Sequence, residues 1–411
     1  LISGHDLIRE GEIGMIIYSE RVCLPDGIQP AYLIEENGRI KAVAGKEAGL
    51  KADVDYGNQR IIPGIIDTHN HGAAGYRFDD ANEEELKQLL KAQAAHGVTA
   101  ILPTTTIVSQ FPILAKLAEE TLDGARIAGI HSEGPWGARV GEKGINTGYP
   151  PVDLDHAKKM IEEAHGKLVL VDIAPEVPGA LEAIDYFVSQ GVTVAAYHTN
   201  ANYAEANRGI DHGITVATHL GNVMTGLHHR DIGTMGACIL RDEVDCELIC
   251  DGLHVCLPMI QLIMKMKDHD RIMLVSDNGA FLGAPVGYYK GGKKNENSDR
   301  AVLEVTPEGF VLSQTGRLTG SSMPVLYGIG NLVEKLHMPL EEVVRMSSAN
   351  PARKYNLKNK GELAVDKDLD LVVIDEDYNV VATYVEGRKV FDRAVEKSPF
   401  NESFLQEYKI D

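Results

Sequence analysis

Through the middle of the chain, short apolar stretches rich in Val, Ile and Ala alternate with longer segments whose apolar residues recur at helical spacing. Eight of the short stretches read as strands: Ile61 to Asp67, Thr99 to Thr104, Arg126 to His131, Leu168 to Ala174, Val192 to His198, Thr215 to His219, Glu247 to Asp251 and Arg271 to Asp277. Most of the gaps between them carry a helical pattern, clearest at Asn82 to His96, Asp155 to His165, Ala180 to Gln190 and Leu257 to Asp268. Strands joined by helical crossovers run parallel and are covered on both faces, so the pattern predicts an α/β fold, a (β/α)8 TIM-like barrel.

The two ends follow a different rhythm. Residues 11 to 60 place short apolar runs (Gly14 to Tyr18, Ala31 to Glu35, Ile40 to Ala44) around turn signals such as Asn37-Gly38. The stretch from Asp370 to Asp375, Val380 to Glu386, the Gly387-Arg388 turn and Lys389 to Phe391 repeats that style. The ends are expected to pair into one small β-sandwich, giving a sandwich part at 1–60, the barrel at 61–355 and a second sandwich part at 356–411. Lys290 to Arg300 reads as a surface loop, and Ala301 to Leu312 as an inserted hairpin.

Charge narrows the partners. Sixty acidic against forty basic residues give a formal net charge of −20, which repels nucleic acid and anionic membrane surfaces. An anionic small substrate would need a local basic cluster. Five cysteines, Cys23, Cys238, Cys246, Cys250 and Cys256, are an odd number without the spacing of a zinc knuckle, so buried reduced thiols are expected. No apolar run approaches the roughly 20 residues that span a bilayer, and the first residues lack a basic stretch followed by an apolar one. The expected compartment is the cytoplasm.

Candidate chemistry clusters at strand ends. His69 and His71 follow the first strand, Glu133 the third, His198 the fifth, His219 the sixth and Asp277 the eighth. In a parallel barrel the downstream rim carries the active site, so these side chains would converge. Neutral imidazole and carboxylate are suitable donors for Zn2+ or a similar divalent ion. Glu133, His198 and His219 form one candidate ligand set. His69 and His71, two apart on an extended segment and so on one side of it, could hold a second ion with Glu133 bridging. Asp277 has no Lys or Arg beside it in sequence and reads as a general base that becomes a general acid.

At these residues the chain resembles the amidohydrolase superfamily, and within it the N-acetylglucosamine-6-phosphate deacetylases. The matching runs are Pro63-Gly64-Ile65-Ile66-Asp67-Thr68-His69-Asn70-His71-Gly72, His131-Ser132-Glu133-Gly134-Pro135-Trp136, Thr218-His219-Leu220-Gly221-Asn222-Val223-Met224 with Leu227-His228-His229-Arg230, Asp251-Gly252-Leu253-His254 and Leu274-Val275-Ser276-Asp277. Glutamate at 133, where dihydroorotase-like relatives use a modified lysine, favours the deacetylases. The resemblance implies one or two divalent ions on Glu133, His198, His219, His69 and His71, with Asp277 as base and acid. It implies a sugar phosphate held by the backbone of Asn222 and Val223 with Arg230 and His254, in part across a homodimer.

Departures fall around the sugar pocket: Asn146 stands where the resemblance leads one to expect a histidine, Asn278 to Leu282 replace a small-residue run, and Gly221 replaces a bulky residue. The implied reaction is deacetylation of N-acetylglucosamine 6-phosphate. The alternative is another amidohydrolase acting on a different N-acyl amino sugar or a cyclic amide.

Overall fold

The computed structural model describes residues 14–139, 149–291, 298 and 300–410. Eight strands pair in parallel in chain order: Ile65–Asn70, Val98–Pro103, Ile130–Trp136, Leu168–Ile173, Thr193–Ala196, Ile214–Ala217, Asp245–Ile249 and Ile272–Val275. The second and third are joined through Arg126–Ile127, which pairs with the second, and through a parallel bridge from Thr104 to His131. The eighth returns to the first by a parallel bridge from Asn70 to Asn278, so the pairings form a ring.

Each of the seven gaps holds a helix: Glu83–Ala95, Phe111–Glu119, Leu154–Glu163, Ala180–Ser189, Tyr203–Asp211, Gly233–Leu240 and Leu257–Met266. Strand alternation sorts the side chains. Leu170, Ala195, Val216 and Met273, from four different ring strands, meet one another inside the ring and pack against Tyr355. Their neighbours Val171, Val194, Ala217 and Leu274 belong to the larger core shared with the helices. Each fully buried Leu, Val or Met contributes about 2 kcal/mol.

The apolar run expected as one strand from Ile61 to Asp67 is two strands that belong to different sheets. Arg60–Pro63 pairs with Leu371–Ile374 and with Ile16–Leu24, whereas Ile65–Asn70 opens the ring. The break is Gly64, where a Cβ would lie 2.1 Å from Thr99 Oγ1; only glycine allows the backbone to cross so closely from one sheet to the other. The sheet on the far side is built from both ends of the chain. Its order is Arg388–Asp392, Val380–Val385, Leu371–Ile374, Arg60–Pro63, Ile16–Leu24, Gly27–Glu36 and Arg39–Gly45, with Val54–Asp55 beside Ile16–Leu24. The expected Asn37-Gly38 turn has both residues at positive φ (54° and 83°), the backbone that matches the twist of a two-residue hairpin. The later turn falls at Glu386-Gly387, one residue before the expected Gly387-Arg388.

After the ring, Gly287–Lys290, Val302–Val305, Phe310–Ser313 and Leu318–Ser321 form an inserted antiparallel sheet. The hairpin expected between Ala301 and Leu312 is its centre, while most of the Lys290 to Arg300 loop lies outside the described residues. Lys409–Ile410 pairs with Gly287–Lys290, so the far end of the chain joins this insert rather than the two-ended sheet. The helix before it, Glu402–Tyr408, rests Phe404 on Phe281 and Tyr289. Cys23, Cys238, Cys246 and Cys250 are buried free thiols, and Cys256 is exposed and free. Among the described residues no helix is long and apolar enough to cross a membrane.

Candidate metal centre

The downstream ends of the ring strands bring six predicted side chains together. Glu133, on Ile130–Trp136, is central: its Oε1 lies 3.1 Å from His219 Nε2, 3.6 Å from His198 Nε2 and 3.6 Å from His69 Nε2, and its Oε2 lies 3.3 Å from His71 Nε2. Asp277 faces the same imidazoles, with Oδ1 3.4 Å from His71 Nε2 and 3.6 Å from His69 Nε2. Two groups have donor atoms close enough to share an ion, His69 with His71 and Glu133, and Glu133 with His198 and His219. His198, His219 and Asp277 each lie just past a strand at positive φ (38°, 33° and 49°). The left-handed backbone region is uncommon for non-glycine residues, and such strained positions concentrate at functional sites.

Hydrogen bonds beneath the cluster hold it in place. Asp67 accepts from Ser276 Oγ (2.6 Å) and Asn70 Nδ2 (3.0 Å), tying the first strand to the eighth. The His69 carbonyl accepts the Asp277 N–H (3.0 Å), and the His71 N–H donates to the Asn278 carbonyl (2.7 Å). Tyr149 Oη bonds to His198 Nδ1, leaving Nε2 toward Glu133. The loop after His198 is pinned by Glu176, which accepts from Thr199 Oγ1 (2.6 Å) and the Asn200 N–H (2.5 Å).

The electrostatics of the cluster suit a cation. Glu133, Asp172, Glu247 and Asp277 are gathered here, and in the described ion pairs their partners are imidazoles, never Lys or Arg. Burial pushes His69 down, but Asp277, Glu247 and Glu133 outweigh it and hold its imidazole well above the usual histidine range. His71 behaves alike, reaching about 9 against burial through Asp277 and Glu133. Burial would raise Glu133, yet His219, His71 and His69 hold it well below the ordinary carboxylate range. Asp277 is likewise held low against burial by His69 and His71. His198 is pushed down to about 4 by burial, so near neutrality it is an uncharged donor. Buried charge of one sign is costly unless compensated. His69 Nε2, buried and without a hydrogen-bond partner, faces two carboxylates. This donor set fits a divalent cation.

The structure also shows residues the sequence pattern passed over. Glu247 Oε2 lies 3.2 Å from His69 Nδ1, and Asp172 Oδ1 lies 3.0 Å from His131 Nε2, all four residues being fully buried. A carboxylate at an inward-facing position of an apolar strand was the available signal. Of the remaining predicted residues, Asn222 donates its N–H (2.9 Å) and its Nδ2 (3.1 Å) to the His219 carbonyl. Val223 has φ +50° and its carbonyl accepts the Thr199 N–H at 3.0 Å. His254 Nδ1 lies 2.5 Å from Asp251 Oδ2, whose other oxygen accepts the Leu253 and His254 N–H groups at 2.9 Å each. Arg230 is exposed on the loop past Met224. No described hydrogen bond or ion pair joins Arg230 or His254 to the Glu133 cluster, and Asn146 lies outside the described residues.

A model of the amidohydrolase family matches residues 60–390. An N-acetylglucosamine-6-phosphate deacetylase of Vibrio furnissii is 31% identical over 370 residues, 88% of this chain and 90% of that one. The chain belongs to the amidohydrolase family, among its N-acetylglucosamine-6-phosphate deacetylases. This amidohydrolase is also 30% identical, over 80% of its length and 87% of the relative's, to an N-acetylgalactosamine-6-phosphate deacetylase of Escherichia coli O157:H7. Among solved structures, an N-acetyl-D-glucosamine-6-phosphate deacetylase mutant of Mycobacterium smegmatis, in complex with N-acetyl-D-glucosamine-6-phosphate, superposes with TM-score 0.81 at 29% identity, covering 92% of this chain and 100% of that one. The Thermotoga maritima N-acetylglucosamine-6-phosphate deacetylase gives 0.74 at 28% identity, with the same coverages.

Proposed function

We propose that this amidohydrolase hydrolyses the amide of N-acetylglucosamine 6-phosphate to glucosamine 6-phosphate and acetate. The observation that carries the reading is the convergence of four imidazoles on Glu133 with Asp277 opposite, in a chain whose relatives near 30% identity act on such amides. Glu133, His198 and His219 would hold one divalent ion, and His69 and His71 a second with Glu133 shared. Zn2+ suits the donors best. Bound there, the ion supplies Lewis acidity, polarising the amide carbonyl and easing ionisation of water.

The chain's own residues do the rest. The Asp277 side chain is 23% exposed and reaches the open side of the cluster. Held as a carboxylate, it takes the proton from water as the new C–O bond forms, and returns it to the amine nitrogen as the C–N bond breaks. The backbone at Asn222 and Val223, with Arg230, His254 and Asn146, would receive the sugar phosphate. Guanidinium and imidazole suit a phosphate dianion and counter the net charge of −20 locally. In this reading the ring of eight strands is a (β/α)8 barrel, and the sheet built from both ends of the chain is the small β-sandwich. The enzyme works as a cytoplasmic homodimer.

The relative from E. coli O157:H7 favours a second substrate, the C4 epimer. Acetate release from N-acetylglucosamine 6-phosphate, its galacto epimer and unphosphorylated N-acetylglucosamine tests both. The expected order places the gluco phosphate first and the free sugar far last. Equal rates with and without phosphate, or no acetate from any of them, would overturn the reading.

A further inference from the structure

We propose that Glu247 is a positioning residue for the metal centre: it keeps a proton on His69 Nδ1, so that Nε2 is the His69 nitrogen left to act as a donor to an ion. This rests on the metal-dependent reading above. Glu247 comes from the seventh ring strand, Asp245–Ile249, and is fully buried. Thr68 Oγ1 donates to its Oε1 at 2.6 Å, leaving Oε2 for His69 Nδ1 at 3.2 Å. A carboxylate only accepts, so Nδ1 must carry hydrogen. His69 Nε2 then faces Glu133 Oε1 and Asp277 Oδ1, 3.6 Å from each.

The ring has little freedom to escape this arrangement. His131 stands edge-on to it, with centroids 4.8 Å apart and planes at 90°. His131 is itself held through Nδ1 by Thr104 Oγ1 (3.1 Å) and the Thr68 carbonyl (3.0 Å), and its Nε2 lies 3.0 Å from Asp172 Oδ1. Outer partners of this kind orient metal-binding histidines, and their loss typically weakens metal binding by about 10- to 100-fold. Glu247 serves the other ligand group only through its backbone, since its carbonyl accepts the Leu220 N–H (2.7 Å) just past His219. A side-chain change should therefore affect the His69 ion and spare the His198–His219 ion.

Glu247→Gln separates these roles. Thr68 still donates to the amide oxygen, which turns the amide NH2 toward His69 Nδ1, a donor where an acceptor is needed. Two measurements on the full-length protein decide the matter. In Zn2+ titrations against a chelator, the variant should lose the affinity of one ion class by about 10-fold or more while the other is unchanged. In 15N-histidine NMR, with and without Zn2+, the slowly exchanging Nδ1-bound proton of His69 should be present in the parent and lost in the variant. Thr68→Val, milder because it removes only the hydroxyl that orients Glu247, should move both readouts in the same direction if Glu247→Gln does not fold. A folded Glu247→Gln protein that keeps the His69 Nδ1 proton and both ion affinities overturns the proposal. A parent protein that binds no Zn2+ overturns the metal-dependent reading instead, and the NMR signal still decides the role of Glu247.

Discussion

His198, His219 and Asp277 share an unusual backbone as well as a site, each sitting at positive φ just past a ring strand. Asparagine tolerates that region better than most residues, so Asp277→Asn should fold with an unchanged or higher melting temperature and keep its metal. Its turnover should fall by orders of magnitude, because an amide cannot take a proton from water. Near-normal kcat would remove Asp277 from the chemistry. His198→Ala and His219→Ala should lower metal content and activity together; elemental analysis showing full occupancy in both would refute their role as ligands. All six converging residues were legible in sequence because each polar group follows an apolar run, although His69 and Glu133 still lie within the strands Ile65–Asn70 and Ile130–Trp136. Glu247 and Asp172 were not. They lie within strands, and what makes them matter is a neighbour across the ring, His69 or His131, which linear spacing does not encode.

The helix Glu83–Ala95 illustrates what is fixed locally and what is not. Asn82 caps it and Glu85 closes the reciprocal hydrogen bond, a signature readable from sequence. His96, its C-cap, is a different matter: half-buried, with Nε2 3.4 Å from Ser398 Oγ and close under Gly283, it depends on segments far along the chain. Burial pushes it down to about 4 from an ordinary value of 6.5. In the unfolded chain it takes up a proton near pH 6.5 and in the folded protein only near 4, so its contribution to stability is lost as pH falls across that window. The parent should therefore lose about 1–2 kcal/mol more than His96→Gln between pH 7 and 4.5, read from melting curves of both at each pH. Identical pH profiles would show that the imidazole takes up its proton as readily in the folded protein as in the unfolded chain. The split at Gly64 was hidden for a similar reason, since its cause is the side chain of Thr99 on another strand.

Over the whole molecule the charge of −20 opposes an anionic substrate before any local contact forms. Raising ionic strength from about 0.01 to 0.15 M shortens the Debye length from about 30 to 8 Å, which screens the distant field more than close contacts. At this scale kcat/KM for the sugar phosphate should rise about two-fold or more, with no such change for an uncharged analogue. A fall with salt would mean that local cations already dominate approach. The alternation of strand and helix made the ring legible, but the partner of Lys409–Ile410 was not: a two-residue strand carries no periodicity, and its place on the insert follows from Phe404 packing on Phe281 and Tyr289. The two-ended sheet has a further consequence, for the order of events during synthesis. The strand Arg60–Pro63 leaves the ribosome long before its partner Leu371–Ile374 exists, and Gly64 ties that strand directly to the one bearing His69. An emerging chain thus holds the first candidate metal-binding histidines on a segment flanked only by Ile16–Leu24, its other neighbour not yet translated, so nascent fragments ending before Leu371 should be dependents of chaperones rather than early enzymes.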